Sequence, residues 1–146
     1  MSEPTNKEVK IEPEYTLSKQ SAENEMKKLL DYYEIKVEEI EDEALKKAIK
    51  QGYDRAIQAV RRKRLQIKLE NGIQIIQTTR NGGTFTYREI DGAAKCAMDG
   101  YPAEAMYKRA YALLGSLSGD GEKAIMNLKG VDLSLAEVLG LLFLAV

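Results

Sequence analysis

At Arg64 the spacing of apolar residues changes from the three-and-four rhythm of an amphipathic helix to strict alternation, and few folds accommodate both patterns. Leu65, Ile67 and Leu69 alternate with Gln66 and Lys68, Asn71-Gly72 supplies the positive φ angles of a tight hairpin turn, and Ile73, Ile75 and Ile76 lead a β-rich run to Thr79. Asn81-Gly82-Gly83 marks a second turn, and Thr84 to Thr86 follow as a short third strand. The expectation is a three-stranded antiparallel meander.

Before the switch the chain reads as helical. Ala22, Met26, Leu29, Leu30 and Tyr33 form one stripe after a capping serine, Ser18 or Ser21, and that helix should end near Tyr33. Seven acids lie between Asp31 and Glu43, and Asp42 is placed to cap a longer helix running to about Arg64. Leu45, Ala48, Ile49, Tyr53, Ala56, Ile57 and Val60 carry its apolar face. Residues 1–17 hold two of the three prolines and no sustained period, which predicts a flexible arm, or else a docking segment through Val9, Ile11, Tyr15 and Leu17.

After the meander the signals are helix starts and stops. Thr86-Tyr87-Arg88-Glu89 fits a capping box with Phe85 and Ile90 as a hydrophobic staple, predicting a helix from Tyr87 to about Met98, stopped by Gly100. Pro102 suits the first turn of another helix bearing Met106, Ala110, Leu113, Leu114 and Leu117, broken by glycines 115, 119 and 121. A short helix from Lys123 to Leu128 should stop at Gly130. Ser134-Leu135-Ala136-Glu137 is a second capping box, launching a terminal helix that is apolar nearly all round.

The reactive side chains are few. The chain contains no histidine and one cysteine, Cys96, so the common zinc sites, catalytic triads and an internal disulfide have no basis in it. Lys+Arg 22 against Asp+Glu 23 leaves a net charge of −1, which gives no overall field for nucleic acid or an anionic membrane. The start lacks the basic and apolar regions of a secretory signal, and no apolar run approaches the roughly 20 residues of a membrane span, so a cytoplasmic protein is expected.

Local motifs read as structural. Gly115 to Gly121 lacks the Gly-Lys-Ser/Thr ending of a phosphate loop and carries Leu117 where a nucleophile elbow needs serine, which makes it a helix connector. Asp91, Asp99, Glu104, Asp120, Glu122 and Asp132 lack the spacing of an EF-hand and read as caps and exposed faces. Cys96, beside Ala93, Ala94 and Ala97, reads as a buried thiol. Tyr101, Tyr107 and Tyr111 suit a half-buried seam or a protein interface. Arg61, Arg62, Lys63 and Arg64 are the candidate phosphate-contacting cluster, or a solvated helix end.

The segment from Leu65 to Leu144 resembles the tail assembly chaperones of tailed bacteriophages. The resemblance is carried by Ile67-Lys68-Leu69-Glu70-Asn71-Gly72-Ile73, by Thr86-Tyr87-Arg88-Glu89-Ile90, by Tyr111-Ala112-Leu113-Leu114-Gly115-Ser116-Leu117-Ser118-Gly119, and by Leu128 to Leu144. It implies a short antiparallel sheet ahead of a small helical domain, in which a helix ending in a Leu-Leu-x-x-Leu-Ser-Gly turn precedes a short helix, here Ala124 to Leu128, and an Asp-Leu segment, here Asp132-Leu133. It further implies a non-enzymatic protein that coats the tape measure protein and recruits tail-tube subunits in the host cytoplasm, often made in two forms by ribosomal frameshifting. Residues 18–64 are an extension beyond that family core.

The expected architecture is therefore α+β: a flexible arm over 1–17, a helical hairpin over 18–64, and a meander with a C-terminal helical group over 65–146. An all-helical protein with one hairpin is the alternative. Leu29, Ile49, Ile57, Ile75, Ile90, Met98, Leu113, Leu114, Leu117, Leu128, Val138, Leu139 and Leu142 should dominate the core. No catalytic residue, cofactor or metal ligand is assigned. Leu135, Val138, Leu139, Leu142 and Phe143 form the candidate protein-binding surface, covered by a second copy in a homo-oligomer or by a partner helix. The other functional readings are a nucleic-acid-binding regulator acting through the Arg61 to Arg64 cluster, a virion structural protein, and a phage antagonist of a host system.

Overall fold

The computed structural model describes residues 14–146, and the arm expectation for residues 1–13, Val9 and Ile11 included, lies outside them. Two helices open the described chain, α1 (Lys19–Tyr32) and α2 (Glu43–Arg61). The Ser18 hydroxyl accepts the Ser21 N–H at 3.0 Å, and Asp42 Oδ1 accepts the Leu45 N–H at 3.1 Å, so each helix starts on a side chain that satisfies an orphan donor. A 3₁₀ turn, Val37–Glu39, lies between them.

Both helices close by the same motif without a glycine. After α1, Glu34 takes φ 57° and the Ile35 N–H bonds back to the Leu30 carbonyl at 2.8 Å. After α2, Lys63 takes φ 59° and the Arg64 N–H bonds back to Ala59 at 2.8 Å. These six-to-one bonds satisfy carbonyls that the last turn leaves open. The expected extension of α2 to Arg64 is thereby corrected: the helix ends at Arg61, and Arg64 already points the chain into the sheet.

Strands β1 (Leu65–Lys68), β2 (Gln74–Thr78) and β3 (Thr84–Tyr87) form the antiparallel meander in that order, which removes the all-helical alternative. Ile67 pairs with Ile75 and Ile75 with Tyr87, so one face carries Leu65, Ile67, Ile75, Gln77 and Tyr87 into the core. Asn71 and Gly72, at φ 55° and 109°, make the β1–β2 turn that their chemistry demands.

The helix expected from Tyr87 to Met98 does not form as such. Tyr87 is fully buried and held in β3, and the Arg88 N–H donates to the Leu117 carbonyl at 3.2 Å. Helix α3 is one turn, Gly92–Lys95, followed by a 3₁₀ turn at Cys96–Met98. Its cap is Asp91, whose Oδ1 accepts the Ala94 N–H at 2.8 Å, while Glu89 instead accepts the Tyr32 hydroxyl at 2.8 Å. Burial of a tyrosine outweighs a cap worth about 1 kcal/mol, so the Thr86 box loses. Asp91→Ala is accordingly expected to lower the thermal midpoint while Thr86→Ala leaves it unchanged, read by circular dichroism; the reverse order would restore the capping box.

Three further helices complete the chain: α4 (Met106–Ser118), α5 (Glu122–Met126) and α6 (Gly130–Leu144). Helix α4 starts four residues after Pro102 and runs through Gly115, ending on left-handed Gly119 at φ 77°. Helix α6 begins at Gly130, so Ser134 lies inside it and the second capping box is also corrected. Asp132 and Glu137 are engaged elsewhere: Asp132 accepts the Arg80 N–H at 3.2 Å, and Glu137 accepts the Tyr111 hydroxyl at 2.6 Å.

Helix α6 is the centre of the molecule, packed chiefly on α2 and α4. Gly52 of α2 and Gly140 of α6 allow these close approaches: a Cβ on Gly140 would stand 2.7 Å from Ala110 Cβ. One continuous core joins Met26 and Leu29 of α1 to Ile75, Leu113 and Phe143, so the boundary at residue 64 separates secondary structures that share one interior. The expected core residues are buried except Ile90 and Leu128, which pack partly against it; Met26, Leu65, Tyr87, Ile125 and Phe143 join them. Tyr87 and Tyr33 both set their rings edge-on to Phe143.

Leu135, Val138, Leu139, Leu142 and Phe143 are at most 4% exposed within the single chain. The candidate partner surface is therefore corrected: the chain's own elements cover these side chains, which leaves them no exposed area for a second copy. Cys96, expected to be buried, is exposed.

Candidate docking groove

The second turn of the meander is built by local chemistry and then clamped to the start of α6. The Thr79 N–H donates to the Gly83 carbonyl at 2.8 Å, its hydroxyl donates to Asn81 Oδ1, and Gly82 takes φ 95°. Arg80 reaches across: its N–H and Nε donate to Asp132 at 3.2 and 3.4 Å, and its Nη2 donates to the Lys129 carbonyl at 3.1 Å. Beneath, the buried Gln77 donates through Nε2 to the Asp132 carbonyl at 2.9 Å and accepts the Tyr87 hydroxyl at 2.8 Å. Burial pushes the Tyr87 phenol well above its ordinary pKa, so it is a neutral donor in the folded chain.

This clamp leaves an open cavity of about 820 Å³ between β3 and α5. Phe85, Ala124 and Leu128 supply its apolar lining, Arg80 and Lys129 lie at the turn end, and Asp120 lies at the other end, where the Leu117 carbonyl meets Arg88. Lys129 and Asp120 are exposed and have no ion-pair partner among the described residues.

The wall formed by β3 is a strand edge. The Thr79 N–H bonds to Gly83 and the Thr78 N–H to Arg64, so odd-numbered residues of β2 face β3 and even-numbered residues face β1. In the register that pairs Gln77 with Phe85, the main-chain groups of Phe85 and Tyr87 face β2, and those of Thr84 and Thr86 face outward. No described residue bonds the outward groups of Thr84 and Thr86. The edge is short and bordered by charge, and it offers an extended segment main-chain pairing beside an apolar wall.

The basic cluster has a different disposition. The Arg61 and Arg62 guanidinium carbons sit 3.8 and 4.3 Å from the centre of the Tyr15 ring. Arg61 Nε donates to the Leu17 carbonyl at 3.0 Å, and the Arg61 carbonyl accepts the Thr16 N–H at 2.6 Å. Arg64 is 8% exposed and Lys63 occupies the left-handed position. Arg61 and Arg62 thus hold the Tyr15 ring, Arg62 and Arg64 line one small cleft with Arg55, and Lys63 is exposed.

Of the acids read as caps and exposed faces, Asp91 caps α3, whereas half-buried Glu122 accepts the Tyr101 hydroxyl at 2.8 Å and Asp132, its side chain 13% exposed, pairs with Arg80. Gly115 to Gly121 is a helix connector between α4 and α5. Among the described residues no group of three or more Cys, Asp or Glu side chains is placed to hold a metal ion, and no helix is long and apolar enough to cross a membrane. The groove had no sequence signal of its own, because Phe85, Leu128 and Lys129 become neighbours only when α6 docks on the turn.

No family model matches the chain, and no curated protein or solved structure matches it significantly.

Proposed function

We propose that this protein is a non-enzymatic, phage-encoded assembly factor of the tail assembly chaperone kind, working in the host cytoplasm and holding segments of the tape measure protein in the β3–α5 groove. The observation that carries the reading is the outward edge of Thr84 and Thr86 beside an apolar wall, a combination suited to polypeptide. A strand of four or five residues seated there buries far less than the roughly 1,600 Å² of a standard stable interface, which suits a partner that must later be released. The element order also supports it: the sheet precedes a helix ending in Leu117-Ser118-Gly119, then a short helix, then Asp132-Leu133 at the start of α6.

The test is capture. The expected genomic neighbour is a tape measure gene directly downstream, and tagged fragments of its product should retain this chain on co-expression. Thr86→Pro removes one outward N–H and leaves the bonds to β2 intact, because proline is tolerated on an edge strand. The variant should fold as the parent does by circular dichroism and lose capture at least about tenfold. Fragments that retain neither chain, or both equally, overturn the reading.

A further inference from the structure

The outward edge of β3 is closed at one end, and this sets how a strand can add to it. Thr84 and Thr86 are followed in the outward row by Arg88, whose N–H is already taken by the Leu117 carbonyl at 3.2 Å. An edge with two open residues favours antiparallel addition, because each then exchanges both of its bonds with the one residue directly across. The added strand therefore runs from the Tyr87 end toward Gly83. Phe85 and Tyr87 turn to the core side while Thr84 and Thr86 are exposed, so on that strand the residues across from Tyr87, Phe85 and Gly83 face the groove.

The two ends of the groove carry opposite charge. At the turn end Arg80 is matched by Asp132, and Lys129, whose carbonyl accepts Arg80 Nη2 at 3.1 Å, supplies the unmatched cation. At the closed end Asp120 lies near Tyr87, whose phenol is held above its ordinary pKa first by burial and then by the Asp120 charge. Lys129 and Asp120 are both exposed, with no ion-pair partner among the described residues. Between them stand Phe85 and Leu128, partly buried and apolar.

We propose that the groove selects its occupant by direction and charge order: it takes an extended partner segment of the pattern base-x-apolar-x-acid. The base, across from Tyr87, reaches Asp120; the apolar residue packs on Phe85 and Leu128; the acid, across from Gly83, reaches Lys129. Base and acid are then about 13 Å apart along the strand, and the two residues between the three anchors face solvent with the threonines. A segment with its charges exchanged meets like charge at both ends. The inference rests on the groove being a docking site for extended segments; it adds which segments the site accepts.

Two capped peptides test this on the full-length chain: Gly-Ser-Lys-Thr-Val-Thr-Glu-Ser-Gly, and the same peptide with Lys and Glu exchanged. Their composition and net charge are identical, so only charge order distinguishes them. Titration followed at the Thr84 and Thr86 amide resonances should show the first binding at least about fivefold more tightly. In an Asp120→Lys, Lys129→Glu variant the preference should invert, with circular dichroism confirming that the exchange of two exposed charges leaves the fold intact. Equal affinities for the parent, an order unchanged in the variant, or no movement of the two threonine amides with either peptide overturns the inference. Peptides that bind equally while Thr86→Pro still abolishes capture of tape measure fragments remove the charge order and leave the proposed function. A charge order that holds while those fragments fail to bind removes the proposed function alone.

Discussion

Gly115→Ala is expected to destabilise the protein by more than about 3 kcal/mol, a larger effect than alanine at any other glycine of this chain. Gly115 is a helical residue of α4 whose Cα faces the returning backbone of the connector. A Cβ there would overlap the Gly121 carbonyl carbon and the Glu122 nitrogen, with the Glu122 Cα 2.7 Å away. These are main-chain atoms, so no rotamer change relieves the overlap. The connector is also tied to the same residue, because the Gly119 and Gly121 N–H groups both donate to the Gly115 carbonyl at 3.1 Å. Either α4 and α5 separate or the connector rebuilds, and both expose Leu117 and Ile125, each at most 2% exposed. Gly92→Ala is the matched control: a Cβ there meets nothing within 4 Å, and the change should be neutral or slightly stabilising. Urea denaturation of the three proteins decides it; a Gly115→Ala midpoint equal to the parent's would refute the close approach.

The double substitution Leu139→Asp, Leu142→Asp should abolish folding rather than release folded monomers from an oligomer. Both side chains are fully buried, on a helix enclosed by α2 and α4. Truncation of one such leucine to alanine costs about 2–5 kcal/mol, and a carboxylate adds the penalty of burying an unpaired polar group. Two of them together exceed much of the roughly 5–15 kcal/mol that holds a domain of this size folded. Circular dichroism with light scattering separates the outcomes. A folded double variant of lower mass would return these residues to a surface role, and loss of helical signal would place them in the interior.

How much of this was legible depends on the range over which each signal acts. Helices α1 and α2 and the β1–β2 hairpin follow from spacing, from Ser18 and Asp42, and from Asn71-Gly72, each acting within a few residues. The same locality misled at Thr86 and Ser134. Both boxes have the right residues, yet Tyr87 is claimed by the sheet and the core, and α6 begins a turn early, where Asp132 meets Arg80. Cys96 stood among alanines that suggested burial, but the segment shortens to one turn and a 3₁₀ turn, which leaves the thiol outside.

What the sequence by itself determined was most of the elements, the α+β class and a central part of the core, because apolar periodicity records which face of each element avoids water. Only the tertiary structure decided which partner each face meets. An apolar helix such as α6 is equally suited to a neighbouring copy or to its own chain; α2 and α4 take it, since covalently linked surfaces pack without the entropy loss of association. The same packing left β3 as an edge and brought Lys129 beside Arg80 across 49 residues of sequence. A groove made by such a distant pairing depends on where the elements stop, and the energies that settle those endpoints, about 1 kcal/mol for a cap against several for a buried tyrosine, belong to the assembled core.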